Sequence, residues 1–369
     1  MFKKLNSLSV YIEKKKIGTL ALTSDNLCAF EYDADWLGNG FSVSPFYLPL
    51  EKKVFISKQD PFDGLFGVFN DSLPDGWGRL LIDRILLKNK ITPASLTPIE
   101  RLSIVGSDGM GALSYQPENY INTEHDISDL KYLEKEVNKV LNDDYSGDIE
   151  ALVTKGGSSG GARPKVLIQI NNEDWIVKFK SSSDPKNIGE LEYNYSLSAK
   201  KSKIEMPETK LFDNKYFGIK RFDRENGKKI HMHTSAGLLN ASHRIPSLDY
   251  KTLMEATFAL TKNITEVTKI YRLMVFNVLT SNKDDHSKNF SFIYKNNKWQ
   301  VSPAYDLVYS DGFNGQHTTT VLGEGNPKKE HLFALAKEIG FTKKNYENIF
   351  DEVFENTKNI RKQIKTIKF

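Results

Sequence analysis

The sequence has only one cysteine, Cys28, among 369 residues. A single cysteine cannot close a disulfide within the chain, which excludes the small disulfide-stapled proteins that cells secrete. Cys28 lies in an apolar, strand-like run, so we expect a buried and chemically inert thiol. A reducing compartment fits this composition.

Long apolar runs and a strong charge of one sign are also absent. No stretch reaches the roughly 18 apolar residues of a membrane span, and residues 1–4 are not followed by the apolar segment of a signal peptide. With 51 Lys and Arg against 47 Asp and Glu, the net charge is only +4, which is too weak to favour autonomous binding to nucleic acid. We therefore expect a cytoplasmic protein that binds neither membranes nor, by itself, DNA.

The residues that are present predict a folded protein of two or three units. Hydrophobic side chains make up 39% and aromatic ones 11% of the chain, which is enough for a sizeable core. Alternating apolar residues predict strands at 8–13, 17–22 and 27–32, and helical periodicity marks 98–105 and 130–141. The polar, acidic stretch 117–148 is the best candidate for a domain boundary, and the chain is mostly helical from residue 252 onward.

A glycine-rich segment, Lys-Gly-Gly-Ser-Ser-Gly-Gly-Ala-Arg-Pro-Lys at 155–165, follows this boundary. Its glycines let the backbone approach an anion closely and direct N–H groups at it. The segment is no Walker A loop, because Gly-Lys-Ser/Thr is missing at the required spacing. We expect it to connect two strands, at 151–154 and 166–170. Taken alone, it could equally be a flexible surface turn.

A lysine and a glutamate give the glycine-rich segment its context. Lys178 lies in a strand predicted at 175–180, and Glu192 lies in a helix predicted at 188–201. A glycine-rich loop, a strand lysine and a helix glutamate, in that order, are typical of the nucleotide-binding lobe of a kinase. There the lysine holds phosphates and the glutamate holds the lysine, although either residue alone could equally be an exposed charge.

A second group of polar residues follows a helix predicted at 266–280. Asp284 and Asn289 have the Asp-x4-Asn spacing of a kinase catalytic loop, in which the aspartate accepts a hydroxyl proton and the asparagine binds magnesium. A hairpin predicted at 290–301 leads to Asp306, in the position of the metal-binding aspartate of kinases. Asp285 and His286 remain alternatives as the base. Zinc binding by His286 is not favoured, because no second His or Cys lies at ligand spacing.

These ordered motifs resemble the HipA family of bacterial serine/threonine kinase toxins. Asp-Asp-His-Ser-Lys-Asn-Phe-Ser at 284–291 is similar to the family's Asp-Gly-His-Ala-Lys-Asn-Phe-Ser, with Asp285 and Ser287 as the differences. Ser-Pro-Ala-Tyr-Asp at 302–306 and Arg-Phe-Asp-Arg at 221–224 resemble further family motifs. In the N-terminal half, 72–79 and 105–113 resemble signature segments, which we interpret as structural turns rather than catalytic ones.

The resemblance implies an α+β fold: a two-lobed, protein-kinase-like architecture with a family-specific N-terminal α/β subdomain and a mostly helical C-terminal lobe. The corresponding domains are 1–120, 121–222 and 223–369. It also implies ATP and Mg²⁺ as cofactors. By position, the implied site residues are Asp284 as the base, Asn289 and Asp306 as magnesium ligands, Lys178 paired with Glu192 at the nucleotide, the loop residues Ser158, Ser159, Gly160 and Gly161, and Lys220 to Phe222 along the adenine, largely through their backbone.

Regulation and partners follow from the same resemblance. In the family, a serine of the glycine-rich loop is autophosphorylated, which ejects the loop and silences the kinase. Ser158 matches that position and Ser159 is the rival. A phosphate there adds roughly two negative charges where the phosphates of ATP belong. The implied partners are a HipB-like helix-turn-helix antitoxin, through which the protein reaches DNA, and a protein substrate such as an aminoacyl-tRNA synthetase.

Some positions depart from the family pattern. Family members carry an acidic residue where Lys220 stands, and residues 230–235 lack the acidic pair of the best-studied branch. The identity of the substrate is therefore not transferred. Two other functions remain open: a small-molecule phosphotransferase of the aminoglycoside- and choline-kinase kind, and an inactive kinase-like co-repressor that acts with a DNA-binding antitoxin.

Overall fold

The structure is a computed structural model that describes residues 2–119, 129–157 and 160–365. The chain divides into two units, which we call the N unit (Met1–Lys186 with Gly218–His233) and the C unit (Asn187–Phe217 with Thr234–Phe369). No helix in the described part of the chain is long and apolar enough to cross a lipid bilayer.

Strands and helices are numbered in chain order. The strands are β1 (Ser7–Ile12), β2 (Lys15–Leu22), β3 (Cys28–Tyr32), β4 (Val54–Ile56), β5 (Leu113–Gln116), β6 (Lys165–Ile170), β7 (Glu173–Lys178), β8 (Thr209–Phe212), β9 (Tyr216–Lys220), β10 (Arg224–Glu225), β11 (Lys228–Lys229), β12 (His231–Thr234), β13 (Leu248–Asp249), β14 (Ser291–Lys295), β15 (Lys298–Val301) and β16 (Thr319–Thr320). The helices are α1 (Ala34–Asn39), α2 (Gly67–Asn70), α3 (Gly76–Lys88), α4 (Pro98–Val105), α5 (Leu130–Leu141), α6 (Ile149–Gly156), α7 (Ile188–Lys201), α8 (Ser235–Leu239), α9 (Tyr250–Thr261), α10 (Ile264–Leu279), α11 (Lys329–Glu338), α12 (Lys343–Asn356) and α13 (Lys358–Ile364).

A five-stranded antiparallel sheet, in the order β4-β3-β2-β1-β5, forms the base of the N unit. The register places Leu8, Leu20 and Phe30 opposite one another across three strands, and all three are buried. Residues directly opposite share a face of the sheet, so these side chains anchor the core beneath it. Cys28 belongs to this core, and burial raises the pKa of its thiol to about 12, which makes it inert as expected.

Three strands of the N unit support the glycine-rich segment. β6 pairs with β7 in a tight hairpin, with Lys165 opposite Lys178 at its open end, and β7 pairs with β9 from Gly218 onward. Asn171 and Asn172 make the turn at φ +52° and +64°, a left-handed conformation that asparagine tolerates better than most residues. The glycine-rich segment therefore enters the sheet at the first residue of β6.

Helices make up most of the C unit. α10 packs against α9 and α12 around a large core of buried apolar side chains. Polar caps start the two central helices: Asp249 accepts from the N–H of Lys251, and Asn263 accepts from the N–H of Thr265. After α10 the chain passes through a loop at 280–290, the β14–β15 hairpin, and a segment leading to β16, which pairs in parallel with β13. α10 thus delivers the candidate catalytic loop at its C-terminal end.

Most predicted elements agree with these bounds. The strands predicted at 8–13, 17–22 and 27–32 are β1 to β3, and the helices predicted at 98–105, 130–141, 188–201 and 266–280 are α4, α5, α7 and α10. The hairpin predicted at 290–301 is β14–β15. The division into domains 1–120, 121–222 and 223–369 stays a prediction.

The strand predicted at 151–154 is wrong, because these residues lie in α6. The side chain of Asp148 accepts a hydrogen bond of 3.0 Å from the N–H of Ala151 and starts a helix there. This local cap outweighs the β propensity of Val153 and Thr154. The glycine-rich segment therefore connects a helix to a strand, and not two strands.

Candidate functional site

The described part of the glycine-rich segment is held close to the start of β6. Gly161 has a φ of +88°, which few other residues adopt. The ammonium group of Lys165 donates to the carbonyl oxygen of Gly160 at 2.6 Å and so ties the two ends of this turn together. The predicted loop serines, Ser158 and Ser159, lie outside the described residues.

A turn of the N-terminal signature segment, Asp75-Gly76-Trp77, contacts this glycine-rich segment directly. The N–H of Gly161 donates to the carboxylate of Asp75, and the N–H of Trp77 donates to the carbonyl of Gly161 at 3.0 Å. The indole Nε1 of Trp77, which is buried, donates to the carbonyl of Lys165 at 3.1 Å. The signature segment is structural, as interpreted from the sequence, but what it positions is the candidate phosphate loop.

Glycine at position 76 is required by this contact. Gly76 has a φ of +43°, and a Cβ there would lie 2.6 Å from the Cα of Ala162 and 2.7 Å from the carbonyl oxygen of Gly161. These neighbours are backbone atoms, which cannot swing away as a flexible side chain can. Any larger residue therefore has to move the glycine-rich segment.

Lys178 ends β7 and is only 9% exposed. Its partner in the register of the β6–β7 hairpin is Lys165, which is also buried. Two like charges opposite each other across a strand pair repel. The arrangement brings two positive charges to the same end of the hairpin, and phosphate binding by Lys178 stays a prediction.

Glu192, the predicted partner of Lys178, lies in α7 of the C unit and is buried. A buried carboxylate needs hydrogen-bond donors or a positive charge. That its partner is Lys178 stays a prediction.

The predicted adenine-lining residues lie at and just after the end of β9. Lys220 is opposite Trp175 in the sheet, and its ammonium group forms an ion pair with Glu173. Phe222 is half-buried. The Lys220 side chain is thus engaged with Glu173, and a contact of this segment with adenine stays a prediction.

The Arg-Phe-Asp-Arg motif forms a buried ion cluster. The guanidinium of Arg221 donates twice to Asp223, and Arg224 donates to the same carboxylate at 2.7 Å. Burial alone would raise the pKa of Asp223, but the two arginines outweigh it and lower the pKa to about 2. Asp223 also accepts from the N–H of Gly111, and Arg224 donates to the carbonyl of Gly109. The second signature segment therefore anchors the chain where it leaves β9.

In the C unit, Asp284 is exposed and Asn289 is partly exposed. The side-chain Nδ2 of Asn289 donates a hydrogen bond of 2.6 Å to the backbone carbonyl of Asp284. This bond closes the loop between the two residues. It also fixes the amide so that Nδ2 faces the protein and Oδ1 is the atom left for a ligand.

Asp285 differs sharply from its neighbour, because it is 1% exposed. Its carboxylate accepts hydrogen bonds from the hydroxyl of Tyr250 and from His317, both at 2.9 Å. A carboxylate so enclosed cannot reach an incoming hydroxyl group. His286 is half-buried, and its Nδ1 accepts from the N–H of Lys288. Of the three candidates for the base, Asp284 is the most exposed.

Asp306 follows the β14–β15 hairpin and has a φ of +52°, in the left-handed region. The residue before it, Tyr305, anchors it to the catalytic loop. The Tyr305 hydroxyl donates to the carbonyl of Lys288 at 2.6 Å and lies 2.5 Å from the hydroxyl of Ser291. Asp306 is thus tied to the loop that carries Asn289.

The donor atoms at this end of the C unit suit Mg²⁺, which prefers carboxylate, carbonyl and water oxygens. Asn289 offers Oδ1, and Asp306 offers a carboxylate. Among the described residues, no cluster of three or more His, Cys, Asp or Glu side chains could hold a metal ion. The pair therefore fits an ion that takes its other ligands from nucleotide phosphates and water, and not an all-protein metal centre.

A Ser-His-Asp arrangement also exists in the N unit. Ser44 Oγ lies 3.0 Å from His233 Nε2, and His233 Nδ1 lies 2.6 Å from the carboxylate of Asp71. These are the contacts of a hydrolase triad. However, Ser44 is 2% exposed and His233 is fully buried, so no substrate can reach the hydroxyl. The three residues form a structural network.

Sequence reasoning missed two parts of this site. It assigned no specific contact to Asp75, Gly76 and Trp77, although a Pro-Asp-Gly turn before an aromatic residue marks a constrained backbone. It also left Asp285 open as a base, since nothing in one sequence distinguishes a buried loop acid from an exposed one.

Comparison with known proteins adds independent findings. The profile of the HipA N-terminal domain matches residues 8–116, and that of the HipA-like C-terminal domain matches residues 157–360. The serine/threonine-protein kinase toxin HipA of Shewanella oneidensis is 23% identical over 375 residues, which cover 89% of this chain and 82% of that protein. The Y4dM protein of Sinorhizobium fredii is 24% identical over 324 residues, which cover 81% of this chain and 78% of that protein.

A solved structure shares the fold. It is a chain from the complex of Shewanella oneidensis HipA, HipB and operator DNA, with a TM-score of 0.71 and 20% identity, covering 98% of this chain and 92% of that one. The fold is therefore α+β and kinase-like, as the motifs predicted. Because the two family domains match most of the sequence in the expected order, the chain belongs to the HipA family.

Proposed function

We propose that this protein is an ATP-dependent protein kinase that phosphorylates serine or threonine. The observation that carries the proposal is the closed loop in which Asn289 Nδ2 bonds the carbonyl of Asp284 while the Asp284 carboxylate stays exposed. This is the arrangement that a kinase catalytic loop requires: one solvent-exposed base and one metal ligand at a fixed separation. Family membership supports it, since the HipA relative in Shewanella oneidensis is named a serine/threonine-protein kinase toxin.

Each residue then has a defined task. Asp284 orients the acceptor hydroxyl and takes its proton as the oxygen attacks the γ-phosphorus, while the bond from that phosphorus to the β–γ bridging oxygen breaks and ADP leaves. Gly160, Gly161 and Lys178 bind the phosphates, Glu192 holds Lys178, and the backbone of Lys220 to Phe222 contacts the adenine. Asn289 and Asp306 would hold Mg²⁺, which when bound would neutralise charge on the transferring phosphate.

Regulation by autophosphorylation is the second part of the proposal. Ser158 is the proposed acceptor and Ser159 its alternative. A phosphoserine in this loop carries roughly two negative charges and competes with the phosphates of ATP for the same groups. Phosphorylation is therefore expected to inhibit the enzyme.

The biological role that fits best is that of a toxin paired with an antitoxin. The solved relative is a HipA in complex with HipB and operator DNA, so we propose a HipB-like helix-turn-helix partner and contact with DNA only through it. A translation protein such as an aminoacyl-tRNA synthetase is the proposed substrate class, because phosphorylating one would stall growth.

The test is an acceptor screen. Purified protein is incubated with γ-labelled ATP and Mg²⁺, alone, with cell extract, and with a panel of sugars and aminoglycosides, beside the Asp284→Ala variant. Asp284-dependent label on the protein itself and on one extract protein is the expected result. Label on a small molecule instead would point to a small-molecule phosphotransferase. No label anywhere, with the loop serines unphosphorylated by mass spectrometry, would favour the inactive co-repressor.

A further inference from the structure

Asp285 receives an unusual number of hydrogen bonds for one side chain in a loop. Its Oδ2 accepts from the hydroxyl of Tyr250 and from His317 Nδ1, both at 2.9 Å. Its Oδ1 accepts from the backbone N–H groups of Thr318 and Thr319, at 3.0 and 3.2 Å. Four donors saturate an ionised carboxylate, which is what its burial requires.

These donors come from two separate parts of the C unit. Tyr250 is the first residue of α9, whereas 317–319 belong to the segment that follows Asp306. Two further hydrogen bonds join the loop to the segment 317–319. Thr318 N–H also donates to the carbonyl of Lys283 at 3.1 Å, and the hydroxyl of Thr319 donates to the carbonyl of Asp285. The catalytic loop is thus joined to both α9 and the segment 317–319 at one point.

The same network reaches the beginning of the loop. Tyr250 accepts from Asn277 Nδ2 at 3.0 Å, and Asn277 accepts from Asn282 Nδ2, also at 3.0 Å. Burial raises the pKa of Tyr250 well above its ordinary value, which keeps its hydroxyl protonated as a donor to Asp285. Asn282 and Asp285 therefore hold the backbone on both sides of Asp284.

We infer that Asp285 is the residue that positions the catalytic loop, by clamping it to α9 and to the segment 317–319. It touches no substrate. Asp284 directly precedes Asp285 in the loop, so fixing the buried Asp285 limits where the exposed Asp284 side chain can lie. The inference rests on the proposed function for its effect on turnover, but the clamp itself is a statement about the structure of the loop.

A variant in which the loop is displaced can be distinguished by its kinetics from a variant that is only less stable. A loop that is displaced by about 1 Å loses on the order of 100-fold in turnover. Most of the groups proposed to bind the nucleotide, namely Gly160, Gly161, Lys178 and Glu192, lie outside the clamp. Asn289 lies on the clamped loop, but its amide is held by its own bond to the carbonyl of Asp284. The KM for ATP should therefore change little while kcat falls.

The test uses paired variants of the full-length protein. Asp285→Ala removes the acceptor. His317→Leu removes one donor at similar volume, and His317→Asn keeps an N–H near the position of Nδ1. The matched control is Glu266→Gln, because Glu266 is a buried carboxylate of the same unit that accepts from the backbone N–H of Val301 at 2.7 Å. Each variant is measured for total γ-phosphate transfer from Mg²⁺–ATP, to protein and to water, and for hydrogen exchange of peptides covering 281–291 and 310–320.

We expect Asp285→Ala to lower kcat by about 100-fold, and His317→Leu by about 10-fold, with the KM for ATP changed by less than about threefold. His317→Asn and Glu266→Gln should stay within about threefold of the wild type. Exchange should rise in both peptides for Asp285→Ala and His317→Leu. If Asp285→Ala does not fold, the comparison of His317→Leu with His317→Asn tests the inference.

Two results would overturn the inference. One is a kcat in His317→Leu equal to that in His317→Asn. The other is unchanged hydrogen exchange in 281–291 when His317 is replaced by Leu. If the wild type transfers no phosphate at all, the proposed function fails, and the exchange data alone then support or refute the clamp.

Discussion

The hydroxyl of Tyr305 donates a hydrogen bond of 2.6 Å to the backbone carbonyl of Lys288. Lys288 directly precedes Asn289, and Tyr305 directly precedes Asp306, so one bond sets the spacing of the two proposed metal ligands. Ser291 adds a second contact to the same hydroxyl at 2.5 Å. The Tyr-Asp sequence is therefore a unit, in which the tyrosine positions the aspartate.

Replacing Tyr305 by Phe should weaken metal-dependent turnover without unfolding the protein. The change removes only the hydroxyl, which leaves the carbonyl of Lys288 without this donor and the hydroxyl of Ser291 without this acceptor, at a cost of about 1–3 kcal/mol. We expect the Mg²⁺ concentration needed for half-maximal activity to rise by about 10-fold, because the relative position of the ligands loosens. Titration of activity with Mg²⁺ at saturating ATP measures this.

Tyr309→Phe is the control for that titration, because the Tyr309 hydroxyl bonds the exposed Asp311. An equal shift in both variants would mean that the Tyr305 hydroxyl has no special role.

Gly76→Ala should weaken nucleotide binding although residue 76 belongs to the N-terminal signature segment. The added Cβ meets backbone atoms of Gly161 and Ala162 at a positive φ, and the left-handed conformation alone costs an alanine about 1–2 kcal/mol. Displacing the glycine-rich segment should raise the Kd for ATP by about 10-fold or more. Calorimetric titration with ATP in the presence of Mg²⁺ gives the value.

Gly38→Ala is the matched control, since a Cβ at Gly38 in α1 meets no atom within 4 Å. That variant should bind ATP like the wild type and be slightly more stable. If Gly76→Ala also binds ATP normally, the contact between the signature segment and the glycine-rich segment does not matter for the nucleotide.

The stability of the protein should fall as the pH drops from 6.5 towards 4, and His231 should account for part of the fall. Burial lowers the pKa of His231 to about 4, from an ordinary value of 6.5. Between these two pH values His231 is protonated in the unfolded chain but neutral in the folded protein. Stability is therefore fully present above pH 6.5 and declines by up to about 1.4 kcal/mol per pH unit below it.

His231→Gln tests this linkage, because glutamine can keep the hydrogen bond that His231 Nε2 makes to the carbonyl of Val43. Chemical denaturation at a series of pH values should show a shallower decline for the variant between pH 6.5 and 4. Parallel curves for the two proteins would refute the assignment.

The parts of the fold that sequence predicted well are those with strong local signals. α4 begins at Pro98, is preceded by the N-cap Thr97, which forms a capping box with Glu100, and has its predicted bounds. The candidate catalytic loop could be located because the spacing of Asp284 and Asn289 is a property of the chain alone, and the roles of its residues stay predictions. The resemblance to the HipA family extended the prediction of the fold to most of the sequence.

The parts that sequence could not predict depend on contacts between distant residues. Asp285 is buried only because Tyr250 and the segment 317–319 supply donors from elsewhere in the chain. Trp77 contacts Lys165 across 88 positions. The strand prediction at 151–154 was wrong for a different reason. The apolar and β-branched residues there suit either a strand or a helix, and the N-cap at Asp148 favours the helix.

The most direct test of the account is the transfer of the γ-phosphate by wild type and Asp284→Asn under identical Mg²⁺–ATP conditions. The asparagine keeps the shape of Asp284 but cannot take a proton, so transfer should fall by about 10²–10⁴-fold, while ATP binding by calorimetry stays within about threefold. Asp311→Asn, which changes another exposed loop acid, should transfer phosphate normally. Undiminished transfer by Asp284→Asn would contradict the assignment of Asp284 as the base and, with it, the proposed mechanism.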